Sequence, residues 1–167
     1  ILDTYYLAAQ KSDIAFLKKM DTARLLAGFR TTAGIDTNGV RPYGGWEDSL
    51  LGGHCVGHYL TAIAQAVKMT GDKELMEKSQ TLITGLEECQ KKLGSGFLFG
   101  AKVEDKEDVE KQFDILEGKK KGETWVPWYN MHKVLAGLVD TYKYTKNETA
   151  LLIAEKLGDW IYERVSK

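Results

Sequence analysis

Apolar positions recur with helical spacing along most of the chain. Leu60, Ile63, Ala64 and Val67 fall at i, i+3, i+4 and i+7, one face of a 3.6-residue period. The run Ile14 to Phe29 reads as one long helix with Leu17, Leu25, Leu26 and Phe29 among its apolar positions. Gly34 and the stretch DTNGVRPYGG (36–45) end it in a loop. After Val67 the pattern stops at TGD, where Asp72 is placed to cap a further helix carrying Leu75, Leu82, Ile83 and Leu86.

The same sequence of events returns 75 residues later. Leu135, Leu138, Val139 and Tyr142 repeat the first face, TKN stands in place of TGD, and Asn147 takes the capping position. The helix that follows carries Ile153, Ala154, Leu157 and Ile161. One helical hairpin is therefore used twice. Between the copies, from Gly94 to Thr124, runs an excursion: GSGFLFG, a charged and predicted helical stretch VEDKEDVEKQFDILEG, and the basic loop KKKGE. The charged stretch reads as a solvated face.

These elements predict a single all-α domain over residues 1–167. Repeated hairpins build either an open superhelix or a closed ring. A ring of six would need on the order of 300 residues, at two helices of ~12–15 residues and loops per hairpin. The 167 residues would make an arc of roughly half such a ring, part of a longer chain. The sequence starts at Ile1 rather than Met, which predicts a processed chain or an excised segment, so its lack of a signal peptide says nothing of compartment.

Composition narrows the partners. The chain is 43% hydrophobic and 28% charged with a net charge of −1, which gives no electrostatic reason to expect nucleic acid or an anionic membrane. No apolar run approaches the ~18 residues a membrane span requires. Cys55 and Cys89 make no disulfide framework and read as two reduced, semi-buried thiols.

Polar and aromatic residues cluster at equivalent places, at or just before the first helix of each hairpin copy. In the first copy they are Tyr43, Trp46, Glu47, His54 and His58; in the second, Glu123, Trp125, Trp128, Tyr129 and His132. Helix starts lie at one end of a helical array, so the two sets can converge on one mouth. Three chemistries compete for them. His54 and His58 at i and i+4 share a face and could hold a metal, but H-C-V-G-H lacks the glutamate of H-E-x-x-H and nothing requires a third ligand. The bland reading is that histidines and tryptophans simply pack at helix starts. A sugar pocket fits the residue types best, because sugar C–H faces stack on aromatic rings and hydroxyls need fixed donors and acceptors, one of each on a neutral imidazole. Glycosidic hydrolysis ordinarily needs two groups flanking the bond. Only Glu47, with Glu123 a weaker second, is a candidate carboxylate, so the cluster looks like the binding half of a site.

At these residues the chain resembles a known family. DTARLLAGFRTTAG, YGGWE, GGHCVGHYLTA and WVPWYNMHKVLAGLVDTY are similar to the β-L-arabinofuranosidase-like family, glycoside hydrolase family 127 and its relatives, over about residues 20 to 165. The resemblance implies an (α/α)6 toroid and a retaining exo-hydrolase that removes L-arabinofuranose or a related sugar from plant-type glycans. It also implies a cysteine nucleophile and a zinc ion held by cysteines and a glutamate, all beyond the point where this sequence ends. Neither Cys55 nor Cys89 occupies the nucleophile's motif, so no catalytic residue and no metal ligand are assigned here. The substrate-binding residues carried over are Trp46, Glu47, His54, His58, Trp128, Tyr129 and His132. An arc of this kind would expose helix faces normally covered by further hairpins, which predicts self-association. The competing expectation, from another class, is a non-catalytic carbohydrate-binding or helical-repeat scaffold module.

Overall fold

A computed structural model describes residues 3–166; Ile1, Leu2 and Lys167 lie outside the described residues. Seven α-helices appear among them and no strand: α1 Thr4–Lys19, α2 Thr22–Thr32, α3 His54–Thr70, α4 Lys73–Leu93, α5 Lys111–Leu116, α6 Pro127–Thr145 and α7 Glu148–Val165. A short 3-10 turn, Gly45–Asp48, precedes α3. No helix is long and apolar enough to cross a membrane.

The predicted hairpins are α3–α4 and α6–α7. Asp72 accepts from Leu75 N–H at 3.1 Å and Asn147 from Ala150 N–H at 3.0 Å, each capping the second helix of its pair. Between the helices of each pair the backbone turns left-handed, at Gly71 (φ 69°) in the first and at Lys146 (φ 60°) in the second. The hairpins lie side by side as near-translated copies. Gly57 meets Lys133 and Gly137, and Thr61 donates to Asp140, so α3 and α6 run in the same direction. Gln80 bonds Asn147 and Gln90 donates to Ile153 O, so α4 and α7 do the same.

The long N-terminal helix is corrected by the structure. The segment Ile14 to Phe29 is broken at Met20–Asp21: Met20 is extended (ψ 131°), and Asp21 accepts from the N–H groups of Ala23 and Arg24 to start a new helix. An aspartate cap overrides an apolar period that would otherwise continue.

The face of α6 is also corrected. Leu60, Ile63, Ala64 and Val67 of α3 are all buried, as the period predicts. In α6 the buried positions are Pro127, Asn130, Met131, Val134, Gly137, Leu138 and Thr141, while Val139 is 45% exposed. The reason is backbone contact. A Cβ at Gly57 would lie 2.0 Å from Lys133 O, and one at Gly137 would lie 2.5 Å from Gly57 O. The helices touch where neither has a side chain, which rotates α6 away from the register of its copy.

The charged stretch of the excursion is mostly exposed or half-buried, with Gln112 and Phe113 buried within it. Phe97, Leu98, Phe99, Ala101 and Phe113 are buried, and only Lys111–Leu116 is helical. Phe97, Phe99 and Phe113 form an aromatic cluster with Trp128 and Trp160, with ring centroids 4.8 to 6.1 Å apart. Its charged residues have a specific target: Arg164, in the last turn of α7, reaches Glu110 and Glu117 at 2.6 Å and also Asp114. Burial pushes the carboxyls of Asp114 and Glu117 up. Hydrogen bonds from Lys120 and Arg164 to Asp114, and from Lys119 and Arg164 to Glu117, outweigh it and hold both below the ordinary carboxylate range.

Two outcomes follow from this packing. Gly57→Ala should lower unfolding free energy by about 3 kcal/mol, because backbone blocks the new methyl, whereas Gly158→Ala in α7, with open space around it, should raise it by up to about 1 kcal/mol; urea denaturation reads both. For the Arg164 cluster the sign is that of depressed carboxyls: its contribution is present above the ordinary carboxylate range and is lost as pH falls through the folded-state values. Limited proteolysis should therefore cut segment 102–124 first on acidification, and Arg164→Met should open the same sites at neutral pH; unchanged cleavage in Arg164→Met would refute the anchoring role.

Candidate functional site

The loop of residues 49–53 and the start of α3 are built around one carboxylate. Gly53, at φ 92°, adopts a left-handed turn that favours glycine, and a Cβ there would meet Gly100 Cα at 2.8 Å. This tight entry leaves the first N–H groups of α3 without helical partners. Glu47 supplies them: Oε2 accepts from Gly53 N–H at 2.9 Å and Oε1 from Cys55 N–H at 3.1 Å. The same Oε1 lies 2.8 Å from His54 Nδ1, which is also 2.9 Å from Leu51 O. Glu47 is 7% and His54 8% exposed, so acid and imidazole sit under the surface.

Around His54 gather rings from both hairpins. Its centroid is 6.4 Å from Trp46, 6.0 Å from His58 and 6.3 Å from Tyr129. His58 Nε2 and the Tyr129 hydroxyl are 3.5 Å apart, and Lys133 Nζ sits 4.9 Å from the Tyr129 ring centroid. Partial burial of the His58 ring lowers its pKa, and the charges of Lys133, His54 and His132 lower it further against the pull of Glu47. His132 is exposed and stands close enough to act on His58.

Of the residues singled out from sequence, Trp46, His54, His58 and Tyr129 thus come together, while His132, exposed on α6, makes no ring contact with them. Glu47 is corrected from a ligand-facing acid to a buried one whose two oxygens are engaged by three donors. Trp128 is corrected too. Its ring, half-buried, packs on Phe113 at 4.9 Å and on Trp160 at 6.1 Å, against the aromatic core. Neighbouring positions on a helix point about 100° apart, so Tyr129 faces the mouth when Trp128 faces the core. Tyr43 serves α2 instead: its hydroxyl accepts from Asp21 N–H at 2.7 Å and Arg24 lies over its ring. Glu123 lines a cleft with Lys102 and Gln112, and Trp125, 49% exposed, stacks on none of the mouth's rings.

Two residues escaped the sequence reading. Asn130, fully buried, donates from Nδ2 to the carbonyls of Leu51 (3.1 Å) and Gly52, tying the start of α6 to the loop before α3. A short polar side chain in the first turn of an otherwise apolar helix was the available signal. Lys133 carried none, since a lysine after a histidine reads as ordinary helix surface.

The arrangement suits binding more than bond cleavage. Exposed aromatic faces stand beside imidazoles, while the carboxylate in the cluster is consumed by its donors. A cysteine-rich zinc site does not fit these residues. Glu47, His54 and Cys55 have ligand atoms within 4.8 Å of one another, but the Glu47 oxygens are already occupied. Burial, and then the Glu47 charge, pushes the Cys55 thiol up to about 12, and burial does the same to Cys89 in the core.

The structure is thus an all-helical domain of stacked hairpins with aromatic and imidazole side chains gathered at one end. The profile described as Beta-L-arabinofuranosidase, GH127 catalytic domain matches residues 1–167, and the chain belongs to that glycoside hydrolase family. Comparison with curated proteins returns no match.

The electrostatics of the mouth can be read directly. His58 should titrate below the ordinary imidazole range in an NMR pH series, and Lys133→Met, which removes the largest of the charges acting on it, should move its midpoint up.

Proposed function

We propose that this chain forms the substrate-binding part of a β-L-arabinofuranosidase-like hydrolase acting on arabinose-containing or related plant-type glycans, and that its hairpins are an arc of an (α/α)6 toroid. The observation that carries this is the convergence of Trp46, His54, His58 and Tyr129, from two different hairpins, within 6.4 Å of one imidazole. Trp46 offers a 67% exposed indole face for a sugar ring, and the imidazoles and the Tyr129 hydroxyl offer directed partners for hydroxyls. Co-linear packing of α3 with α6 and of α4 with α7 supports an inner and an outer layer of parallel helices, as a toroid needs. The nucleophile, the acid and the zinc ligands are assigned to residues other than these. Exposed Tyr5, Tyr6 and Phe16 on α1 and Tyr162 on α7 are the basis for expecting self-association of the chain on its own.

A second reading has one observation in its favour. Glu47 is fully engaged, which leaves the mouth without a free acid and suits a non-catalytic carbohydrate-binding module. Turnover of an arabinofuranoside by the full gene product separates the two.

The binding claim is tested by titrating the chain with methyl β-L-arabinofuranoside while following tryptophan fluorescence and amide shifts, with light scattering to read association. Shifts should map to the starts of α3 and α6. Trp46→Ala should weaken binding about five-fold, since ring stacking is worth ~1 kcal/mol and 1.4 kcal/mol is a factor of ten. Saturable shifts elsewhere on the surface, or none, would remove the sugar reading.

A further inference from the structure

The contacts of Glu47 determine where the proton of His54 sits. Both partners of His54 Nδ1, the Glu47 carboxylate at 2.8 Å and the Leu51 carbonyl at 2.9 Å, can only accept a hydrogen bond. Nδ1 therefore carries a hydrogen. In the neutral ring Nε2 then holds a lone pair, on the edge turned away from the buried carboxylate. Among the described residues, the one group within hydrogen-bonding reach of Nε2 is the Cys55 thiol at 3.7 Å, a weak donor. The other rings of the mouth stand around this imidazole with centroids 6.0 to 6.4 Å from its own.

Glu47 is fit to hold the ring because it is itself held. Gly53 and Cys55 N–H groups grip its two oxygens, and the start of α3 favours a negative charge there. The second acceptor, Leu51 O, is fixed in turn by Asn130 from the neighbouring hairpin. Loss of Glu47 therefore leaves Leu51 O as the remaining acceptor on Nδ1 and removes the charged one, together with its hold on the Gly53 and Cys55 N–H groups.

We propose that Glu47 is a positioning residue that acts through His54: it fixes the Nδ1–H tautomer and the ring plane, so that Nε2 accepts a hydrogen bond from a sugar hydroxyl. The acceptor role rests on the sugar reading above; the placement of the proton does not. The group recognised at this point is a hydroxyl that donates. An O-methyl ether or deoxy analogue at that position has no proton to give and binds more weakly.

Long-range ¹H–¹⁵N correlation on the ¹⁵N-histidine-labelled chain tests the proton directly. In the neutral ring, wild type should show His54 with Nδ1 protonated and Nε2 bare, and Glu47→Ala, which keeps only the Leu51 carbonyl on Nδ1, should show more of the Nε2–H tautomer. A wild-type proton on Nε2 overturns the proposal whether or not sugar binds, and needs no variant to fold. A double-mutant cycle then reads coupling. Glu47→Gln should cost about ten-fold in affinity for methyl β-L-arabinofuranoside in the wild-type background and under about two-fold in His54→Ala. Equal losses in both backgrounds overturn the proposal, because Glu47 would then act without His54. A chain with the expected tautomer that binds no arabinofuranoside overturns the sugar reading, and the acceptor role with it, while upholding the hold of Glu47 on the ring.

Discussion

The contact between Gly57 and Gly137 sets the geometry of everything around it. Two α-helices ordinarily keep their axes 8–10 Å apart because side chains stand between them. Here each helix offers bare backbone where they meet, so α3 and α6 approach until a single methyl on either side would strike a carbonyl. That approach brings the starts of both helices, and the loops that feed them, to one place. His54 and His58 come from the first hairpin and Tyr129 and Lys133 from the second. Without the close approach these side chains would face one another across a gap too wide for the 3.5 Å contact between His58 and Tyr129.

A second level of organisation is electrostatic and depends on the first. Glu47 joins the 3-10 turn to α3 by accepting from two backbone N–H groups, and Asn130 joins α6 to the same loop. A buried carboxylate is costly unless its oxygens are satisfied, and here they are. At the far side of the aromatic core Arg164 plays the corresponding part, gathering Glu110, Asp114 and Glu117 so that the excursion lies against α7. In both places one charged group ties an irregular segment to a helix.

Much of this was legible in the sequence because helices are written in local signals. The hairpin repeat, the caps at Asp72 and Asn147, the core residues of α3 and α4 and the meeting of two helix starts all follow from spacing within a few turns. The errors share one cause, which is that spacing gives a face but not its neighbour. Val139 continues the apolar pattern and is exposed, because the glycine contact turned α6. Trp128 and Tyr129 are both aromatic and adjacent, and only the packed core shows which one it takes. The charge of VEDKEDVEKQFDILEG suggested solvent, while its Phe113 was core and its acids had a partner 47 to 54 residues away in sequence.

By itself, then, the sequence determined the class of fold and the family. These rest on periodicity, caps and long ordered motifs, which a chain carries whether folded or not. Tertiary structure alone decided the role of each polar residue. Glu47 reads as an acid free to meet a ligand until the fold surrounds it with the N–H groups of Gly53 and Cys55 and the ring of His54. Whether a carboxylate acts on a ligand or on its neighbours depends on which donors reach it first, and those donors are set in place only when the two hairpins close on one another.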